Sequence, residues 1–133
     1  MTAYLLDTSV IIDFLNAKRG RKELLEDLVR QGNMLACCSA NVTEVYAGAR
    51  PHEMAKTDAF LRRLDYRDVT WEIARHAGLL RNEWAARGRT LSLADCTIAA
   101  TALAHGLVLV TDNTKDFPMP GLTLYPLPGD RGS

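Results

Sequence analysis

The sequence predicts an α/β protein with a mostly parallel central sheet and helices on both faces, a three-layer α/β/α arrangement. Short apolar runs alternate with longer segments of helical periodicity, which is the pattern of βαβ units. The run over 107–110 is apolar at every position, as expected for a strand that is buried on both faces. With 133 residues, 47% of them apolar, the chain has the length and the core material of one domain.

The first half of the chain alternates strands and helices. The first strand ends at Asp7, and Thr8 or Ser9 is expected to cap the helix that follows. Gly32 is expected to end the second helix. The predicted elements, in order, are a strand over 4–6, a helix to about residue 15, a helix over 21–31, a strand over 34–38, a helix from Ser39 or Asn41, and a helix over 51–64.

The second half continues the alternation. Ile73, Ala77, Leu80 and Trp84 lie at offsets 0, 4, 7 and 11 and form the apolar face of a clear helix. The predicted elements are a brief strand over 67–70, a helix over 71–87, a helix over 93–105, a strand over 107–110 and a strand over 122–125. We expect a single domain over 1–127 and a flexible tail over 128–133, where proline, glycine and polar residues prevail.

Composition excludes several classes of protein. Sixteen basic and sixteen acidic residues cancel, which argues against a strongly basic protein that wraps nucleic acid. The three cysteines are an odd number and two of them are adjacent, so a reducing compartment, the cytoplasm, is expected. The sequence shows neither a signal peptide nor an apolar run long enough to cross a bilayer, and no membrane association is expected.

Acidic and polar side chains occur where predicted strands end or helices begin. In open α/β sheets, ligands bind outside the carboxyl ends of the strands, and two of these groups follow strands directly. The candidate side chains are Asp7, Glu44, Asp95, Asp112, Asn113 and Asp116.

Each acidic side chain also has a structural interpretation. Asp7 can cap a helix, and Glu44 can be a solvated helical residue. Asp95 lies three residues after Ser92, which matches a capping box. The segment 112–116 can be a polar turn. The sequence alone does not show that these acids converge, because they are far apart along the chain.

If the acids do converge, a divalent cation is expected among them. Clustered carboxylates repel each other and raise each other's pKa values. Mg²⁺ and Mn²⁺ prefer oxygen ligands and relieve this repulsion. A cation held in this way activates water and stabilises the leaving oxygen in phosphodiester cleavage.

Four segments, in this order, resemble the motifs of PIN domains, and more narrowly those of VapC-type toxins of toxin–antitoxin pairs. Together with the helices between them, the resemblance covers residues 1 to about 127. The segments are Leu5-Leu6-Asp7-Thr8-Ser9-Val10-Ile11-Ile12, Thr43-Glu44-Val45-Tyr46-Ala47-Gly48, Leu93-Ala94-Asp95-Cys96-Thr97-Ile98-Ala99-Ala100-Thr101-Ala102, and Leu109-Val110-Thr111-Asp112-Asn113-Thr114-Lys115-Asp116-Phe117.

The resemblance implies a PIN-like fold and a metal-dependent endoribonuclease. By position, the catalytic and Mg²⁺- or Mn²⁺-binding carboxylates would be Asp7, Glu44, Asp95 and Asp116, although Asp112 competes with Asp116 for the fourth place. It also implies a homodimer, an RNA substrate and a VapB-type antitoxin as partner. Residues in supporting roles would be Thr8, Ser9, Thr111, Asp112 and Asn113.

A basic stretch follows the first predicted helix. It can be a solvated loop, or it can contact RNA phosphates beside the first catalytic turn. Its cationic residues are Lys18, Arg19, Arg21 and Lys22.

Two other functions compete with the nuclease. One is a catalytically silent PIN module whose acids only dock a basic partner segment. The other is a receiver-like domain that accepts a phosphoryl group on an aspartate. A receiver needs paired acids after the first strand and an aspartate after a middle strand, whereas Thr8-Ser9 and Ser39-Ala40 stand there.

Overall fold

The computed structural model describes residues 1–128. The strands β1 to β5 are, in chain order, Ala3–Leu6, Met34–Cys38, Asp65–Arg67, Val108–Thr111 and Leu124–Pro126. The helices α1 to α6 are Thr8–Leu15, Arg21–Arg30, Ser39–Gly48, Met54–Arg63, Trp71–Ala86 and Leu93–His105. Short 3₁₀ turns lie at Pro51–Glu53 and Thr114–Asp116.

The strands form one sheet in the order β3-β2-β1-β4-β5, and every neighbouring pair is parallel. In the centre of the sheet, Leu5 of β1 lies between Ala36 of β2 and Leu109 of β4. All carboxyl ends therefore meet at one edge. The predicted three-layer α/β/α fold with a parallel sheet is confirmed.

A hydrophobic cluster covers each face of the sheet, because successive strand residues point to opposite sides. Leu5 packs with Ile98 and other residues of α5 and α6. Leu6 packs on the other face with Val10 of α1 and Leu25 of α2. All five of these side chains are at most 1% exposed. The two clusters clamp β1 between them, which gives the residue at its carboxyl end a rigid base.

Three predicted boundaries are wrong. The third strand is Asp65–Arg67 rather than 67–70, because Thr70 is used to cap α5 by accepting from the Ile73 amide at 3.2 Å. The predicted helix over 51–64 is divided into a 3₁₀ turn and α4. The last strand begins two positions later than expected, at Leu124.

The rest of the predicted order agrees with the structure to within a residue or so at each boundary. The predicted tail over 128–133 lies, apart from Pro128, outside the described residues. Among the described residues, none of the helices combines the length and the apolar character needed to cross a membrane.

Candidate active site

Asp7 lies at the carboxyl end of β1, at the centre of the sheet edge. Its amide continues the ladder to β4 by donating to the Val110 carbonyl at 2.9 Å. Its Oδ1 accepts from the Thr8 amide at 2.8 Å, which makes Asp7 itself the cap of α1. The expectation that Thr8 or Ser9 caps this helix is therefore wrong. Asp7 has the extended backbone that a capping residue needs, whereas Thr8 is already helical.

The second oxygen of Asp7 is held by β4. Its Oδ2 accepts from the Thr111 hydroxyl at 2.8 Å, and the Ser9 hydroxyl lies 3.5 Å from the same oxygen. Asp7 is 5% exposed and Thr111 is fully buried. The carboxylate is thus fixed by contacts on both of its oxygens.

Asp95 lies in the first turn of α6. Its amide donates to the Ser92 hydroxyl at 3.0 Å, so Ser92 caps this helix as its spacing from Asp95 predicts. The carboxylate of Asp95 is partly buried, and a hydrogen bond with Ser92 lowers its pKa while repulsion from Glu44 and Asp116 raises it. The structural and the functional interpretations of this segment are therefore compatible.

Burial and neighbouring acids raise the pKa values of two candidate carboxylates. Burial raises the pKa of Asp7 to about 7, the Thr111 hydrogen bond opposes this rise, and repulsion by Asp95 adds to it. Burial also raises the pKa of Asp95 to about 6, a hydrogen bond with Ser92 opposes this rise, and repulsion from Asp116 and Glu44 adds to it. Asp95 therefore interacts electrostatically with Asp7, Glu44 and Asp116, and these four acids form a cluster in this sense.

Glu44 is held towards this cluster from α3. Its Oε1 accepts from the Thr8 hydroxyl at 2.7 Å. Thr8 in turn accepts from Nδ2 of Asn41 at 3.1 Å, and the same amide group donates to the Leu6 carbonyl at 3.0 Å. Oδ1 of Asn41 accepts from the Cys38 amide at 2.9 Å. These bonds form a continuous connection from β1 and β2 to Glu44.

Asn41 was not identified as a site residue from the sequence. It is fully buried and bridges the carboxyl ends of β1 and β2. The available signal was an asparagine three residues after an apolar strand, where a buried amide needs partners for all its polar atoms. That signal predicts a structural bridge but does not reveal that the bridge orients Thr8.

Asp112 follows β4 and is fully buried. Its Oδ2 lies 3.1 Å from Nη1 of Arg19 and 3.4 Å from Nη2 of Arg21, while its Oδ1 accepts from the Ser9 hydroxyl at 3.1 Å. Arg21 also donates to the Pro128 carbonyl at 3.0 Å. Asp112 is therefore engaged with two arginines and a serine.

The other residues after β4 differ in role. The Asn113 amide donates to the Thr111 hydroxyl at 2.9 Å, so this contact involves the backbone of Asn113. Asp116 is half-buried in the 3₁₀ turn and repels Asp95. Of the two acids that compete for the fourth place, Asp116 repels Asp95, whereas Asp112 repels Asp7 and is also paired with the two arginines.

The basic stretch divides into exposed and buried residues. Lys18 and Arg19 are exposed on the turn between α1 and α2, and Lys22 is exposed in the first turn of α2. The side chain of Arg21 is 2% exposed. The expectation that Arg21 contacts RNA is wrong in this structure, because its guanidinium is buried against Asp112.

The donor set fits a hard divalent cation. The clustered groups are carboxylates and hydroxyls, which are the oxygen ligands that Mg²⁺ and Mn²⁺ prefer. Burial is the main cause of the raised pKa values of Asp7 and Asp95 and repulsion between acids adds to it, and a bound cation would favour the charged form of both. Within residues 1–128, no three acidic, histidine or cysteine side chains enclose a metal position directly. Mg²⁺ keeps several waters and needs only one or two carboxylates from the protein, so the donor types present are sufficient for it.

The sequence belongs to a known family. The sequence profile of the PIN domain matches residues 4–118, and the chain is a member of the PIN domain family. Within that family it belongs with the VapC ribonucleases. Members of this group are generally metal-dependent nucleases.

Relatives and solved structures agree on this assignment. The chain is 33% identical over 115 residues to Ribonuclease VapC19 of Mycobacterium tuberculosis, covering 86% of this chain and 92% of the relative. It is 33% identical over 128 residues to the tRNA(fMet)-specific endonuclease VapC of Shigella flexneri, covering 91% and 94%. The fold superimposes with a TM-score of 0.82 on the crystal structure of VapBC2 from Rickettsia felis bound to a promoter DNA fragment, at 28% identity and 95% and 99% coverage.

Proposed function

We propose that this protein is a metal-dependent endoribonuclease, the toxin of a toxin–antitoxin pair, and that it hydrolyses RNA phosphodiester bonds. The observation that carries the proposal is the electrostatic interaction of Asp95 with Asp7, Glu44 and Asp116. Burial and mutual repulsion raise the pKa values of two of these acids. Family membership and relatives named as ribonucleases support the same activity.

In this proposal the four acids hold Mg²⁺ or Mn²⁺. A cation bound there would supply an activated water and charge stabilisation for the leaving oxygen. Asp7 is held in place by Thr111, and Glu44 by Thr8. Because both carboxylates are fixed before any ligand arrives, little reorganisation is needed when substrate binds.

RNA would approach along the exposed turn between α1 and α2. Lys18, Arg19 and Lys22 supply positive charge beside the acids, and Arg19 is anchored to the site by Asp112. The net charge of the chain is zero, so this local charge, together with the cation, would offset the repulsion between the acids and the RNA backbone.

The partner would be a VapB-type antitoxin, as in the solved complexes that this fold resembles. On the face opposite α5 and α6, a cleft of about 630 Å³ opens beside α2 and α4. Its walls include the apolar residues Phe14, Leu25, Val29, Phe60 and Leu64, with Arg30 and Arg63 among the charged ones. We assign this cleft to an apolar segment of the antitoxin.

The protein would act in the cytoplasm as a homodimer. Cys37, Cys38 and Cys96 are all buried and unbridged, which suits a reducing compartment where RNA is also present. The homodimer rests on the family resemblance.

The decisive experiment is cleavage of total bacterial RNA by the purified protein with Mg²⁺, with Mn²⁺ and with EDTA. Discrete fragments are expected with metal and not with EDTA. Asp95→Asn is the catalytic control and should give none. A folded protein that binds Mn²⁺ and its antitoxin but cleaves nothing would instead be the silent binding module. Mass gain on incubation with acetyl phosphate would identify the receiver-like domain.

A further inference from the structure

We propose that Arg21 is a positioning residue of the active site. In this proposal it neutralises Asp112 and keeps the Asp112 carboxylate out of the metal pocket. The inference rests on the proposed nuclease function and adds a residue that does not itself touch RNA or the cation.

The Ser9 hydroxyl lies between the carboxylates of Asp112 and Asp7. The Ser9 hydroxyl lies 3.1 Å from Oδ1 of Asp112 and 3.5 Å from Oδ2 of Asp7. One hydroxyl group therefore separates Asp112 from the central acid of the site. Asp112 also repels Asp7 and contributes to the rise of its pKa. An Asp112 side chain that was free to turn would lie within reach of any cation held by Asp7.

The Asp112 carboxylate is held by three side chains. Its Oδ2 faces the guanidinium groups of both Arg19 and Arg21, while Ser9 donates to its Oδ1. A fully buried carboxylate needs such partners, because its charge is costly without them. The contacts occupy both oxygens of Asp112.

The two arginines differ in how deeply they are buried. The side chain of Arg19 is 31% exposed, whereas that of Arg21 is 2% exposed. Nη1 of Arg21 donates to the Arg19 carbonyl at 3.1 Å, and Nη2, which also faces Asp112, donates to the Pro128 carbonyl at 3.0 Å. The Arg19 side chain is therefore accessible to an RNA phosphate, whereas the Arg21 side chain is buried against Asp112. The permanent counter-charge of Asp112 is Arg21.

The test uses Arg21→Gln, Asp112→Asn and the double variant. We expect kcat for RNA cleavage by Arg21→Gln to fall about tenfold or more, with an unchanged KM. Its Mn²⁺ affinity, measured by calorimetry, should be no weaker than that of the wild type. In this variant the Asp112 carboxylate loses its arginine partner but remains in the protein. The double variant should have a kcat within about threefold of that of Asp112→Asn alone, because the carboxylate that Arg21 neutralises is absent from both. Arg75→Gln removes an exposed cation on α5 and is the matched control.

Several results would overturn the inference. One is a folded Arg21→Gln protein with wild-type kcat, and another is a raised KM at unchanged kcat, which would mark an RNA contact. If Arg21→Gln does not fold, the comparison of the double variant with Asp112→Asn decides, and a tenfold lower kcat of the double variant would contradict the proposal.

The nuclease function can fail separately. If the wild type cleaves no RNA, that function is wrong, and the order of Mn²⁺ affinities still decides on Arg21. Weaker binding by Arg21→Gln, or no binding by the wild type, then overturns its role; equal or tighter binding by Arg21→Gln supports it.

Discussion

The Thr8 hydroxyl donates to Oε1 of Glu44 at 2.7 Å and so joins the start of α1 to α3. The two residues are 36 positions apart in the chain. Thr8 has only one hydroxyl proton, and the amide of Asn41 occupies the accepting side of the same oxygen. The hydroxyl is therefore oriented towards Glu44, and this contact fixes the position of one acid relative to Asp7.

Replacing Thr8 should impair cleavage without unfolding the protein. Thr8→Val keeps the shape of the side chain and removes the bond to Glu44, so kcat is expected to fall about 10- to 100-fold. Thr8→Ser keeps the hydroxyl and should retain most of the activity. Steady-state cleavage of a defined RNA measures both variants. Equal activity of Thr8→Val and the wild type would show that Glu44 needs no such support.

Replacing Asp7 should stabilise the metal-free protein at high pH. The folded pKa of Asp7, about 7, is above the ordinary value of 3.8, so the folded state holds a proton that the unfolded state releases. The stability that protonated Asp7 contributes is fully present below about pH 4 and is lost as the pH rises through about 7. Asp7→Asn removes this loss and should raise the free energy of unfolding at pH 8 by on the order of 2 kcal/mol relative to the wild type.

Urea denaturation in EDTA at pH 5 and pH 8 measures this effect. The advantage of Asp7→Asn should be larger at pH 8 than at pH 5. Asp27→Asn, on the exposed surface of α2, is the control and should show no such difference. An advantage that shrinks with rising pH would contradict the raised pKa.

Metal affinity should increase between pH 6 and pH 8. Asp7 and Asp95 have pKa values of about 7 and about 6, and both must lose their protons before they bind a cation. Calorimetric titration with Mn²⁺ at pH 6, 7 and 8 tests this. In Asp95→Asn, binding should be weaker at every pH. An affinity that does not change across this range would show that neither proton competes with the metal.

Asn41 should contribute strongly to stability. Asn41→Ala leaves the Cys38 amide and the Leu6 carbonyl without this partner in a fully buried place. The expected loss in free energy of unfolding is about 1–3 kcal/mol, measured by urea denaturation. Asn33→Ala removes a side-chain acceptor from the Thr2 amide at the other end of the sheet and should cost less. The prediction fails if the two variants lose equal stability.

The cleft beside α2 and α4 should determine binding of the antitoxin. Val29 is 53% exposed and lines it, so Val29→Glu places a charge on an apolar wall. We expect affinity for the antitoxin to fall about tenfold or more, since a buried unpaired charge is costly. Leu79→Glu, at an exposed apolar position on α5, is the control. Calorimetry with the purified antitoxin compares them, and equal affinities would place the partner elsewhere.

The fold and the positions of the acids could be predicted because their signals are local. Apolar runs mark the strands, and Asp7 and Asp112 directly follow two of them. The roles of Arg21 and Asn41 could not be predicted in this way. Arg21 resembles its exposed neighbours Lys22 and Arg19 in sequence, whereas its contacts with Asp112 and the Pro128 carbonyl are 91 and 107 positions away. The choice of Asp7 as helix cap also depends on where β1 stops, which the sequence gives only to within a residue or two.

The order of these features along the chain has a consequence during protein synthesis. The cleft beside α2 and α4 is lined by residues from Met1 to Asp65. Asp95, Asp112 and Asp116 are translated later, after α5. A ribosome therefore completes every residue of the proposed antitoxin surface before it adds the last acids of the proposed catalytic site. An antitoxin that recognised this early surface would meet its target while the nascent chain still lacked the groups needed to cut RNA.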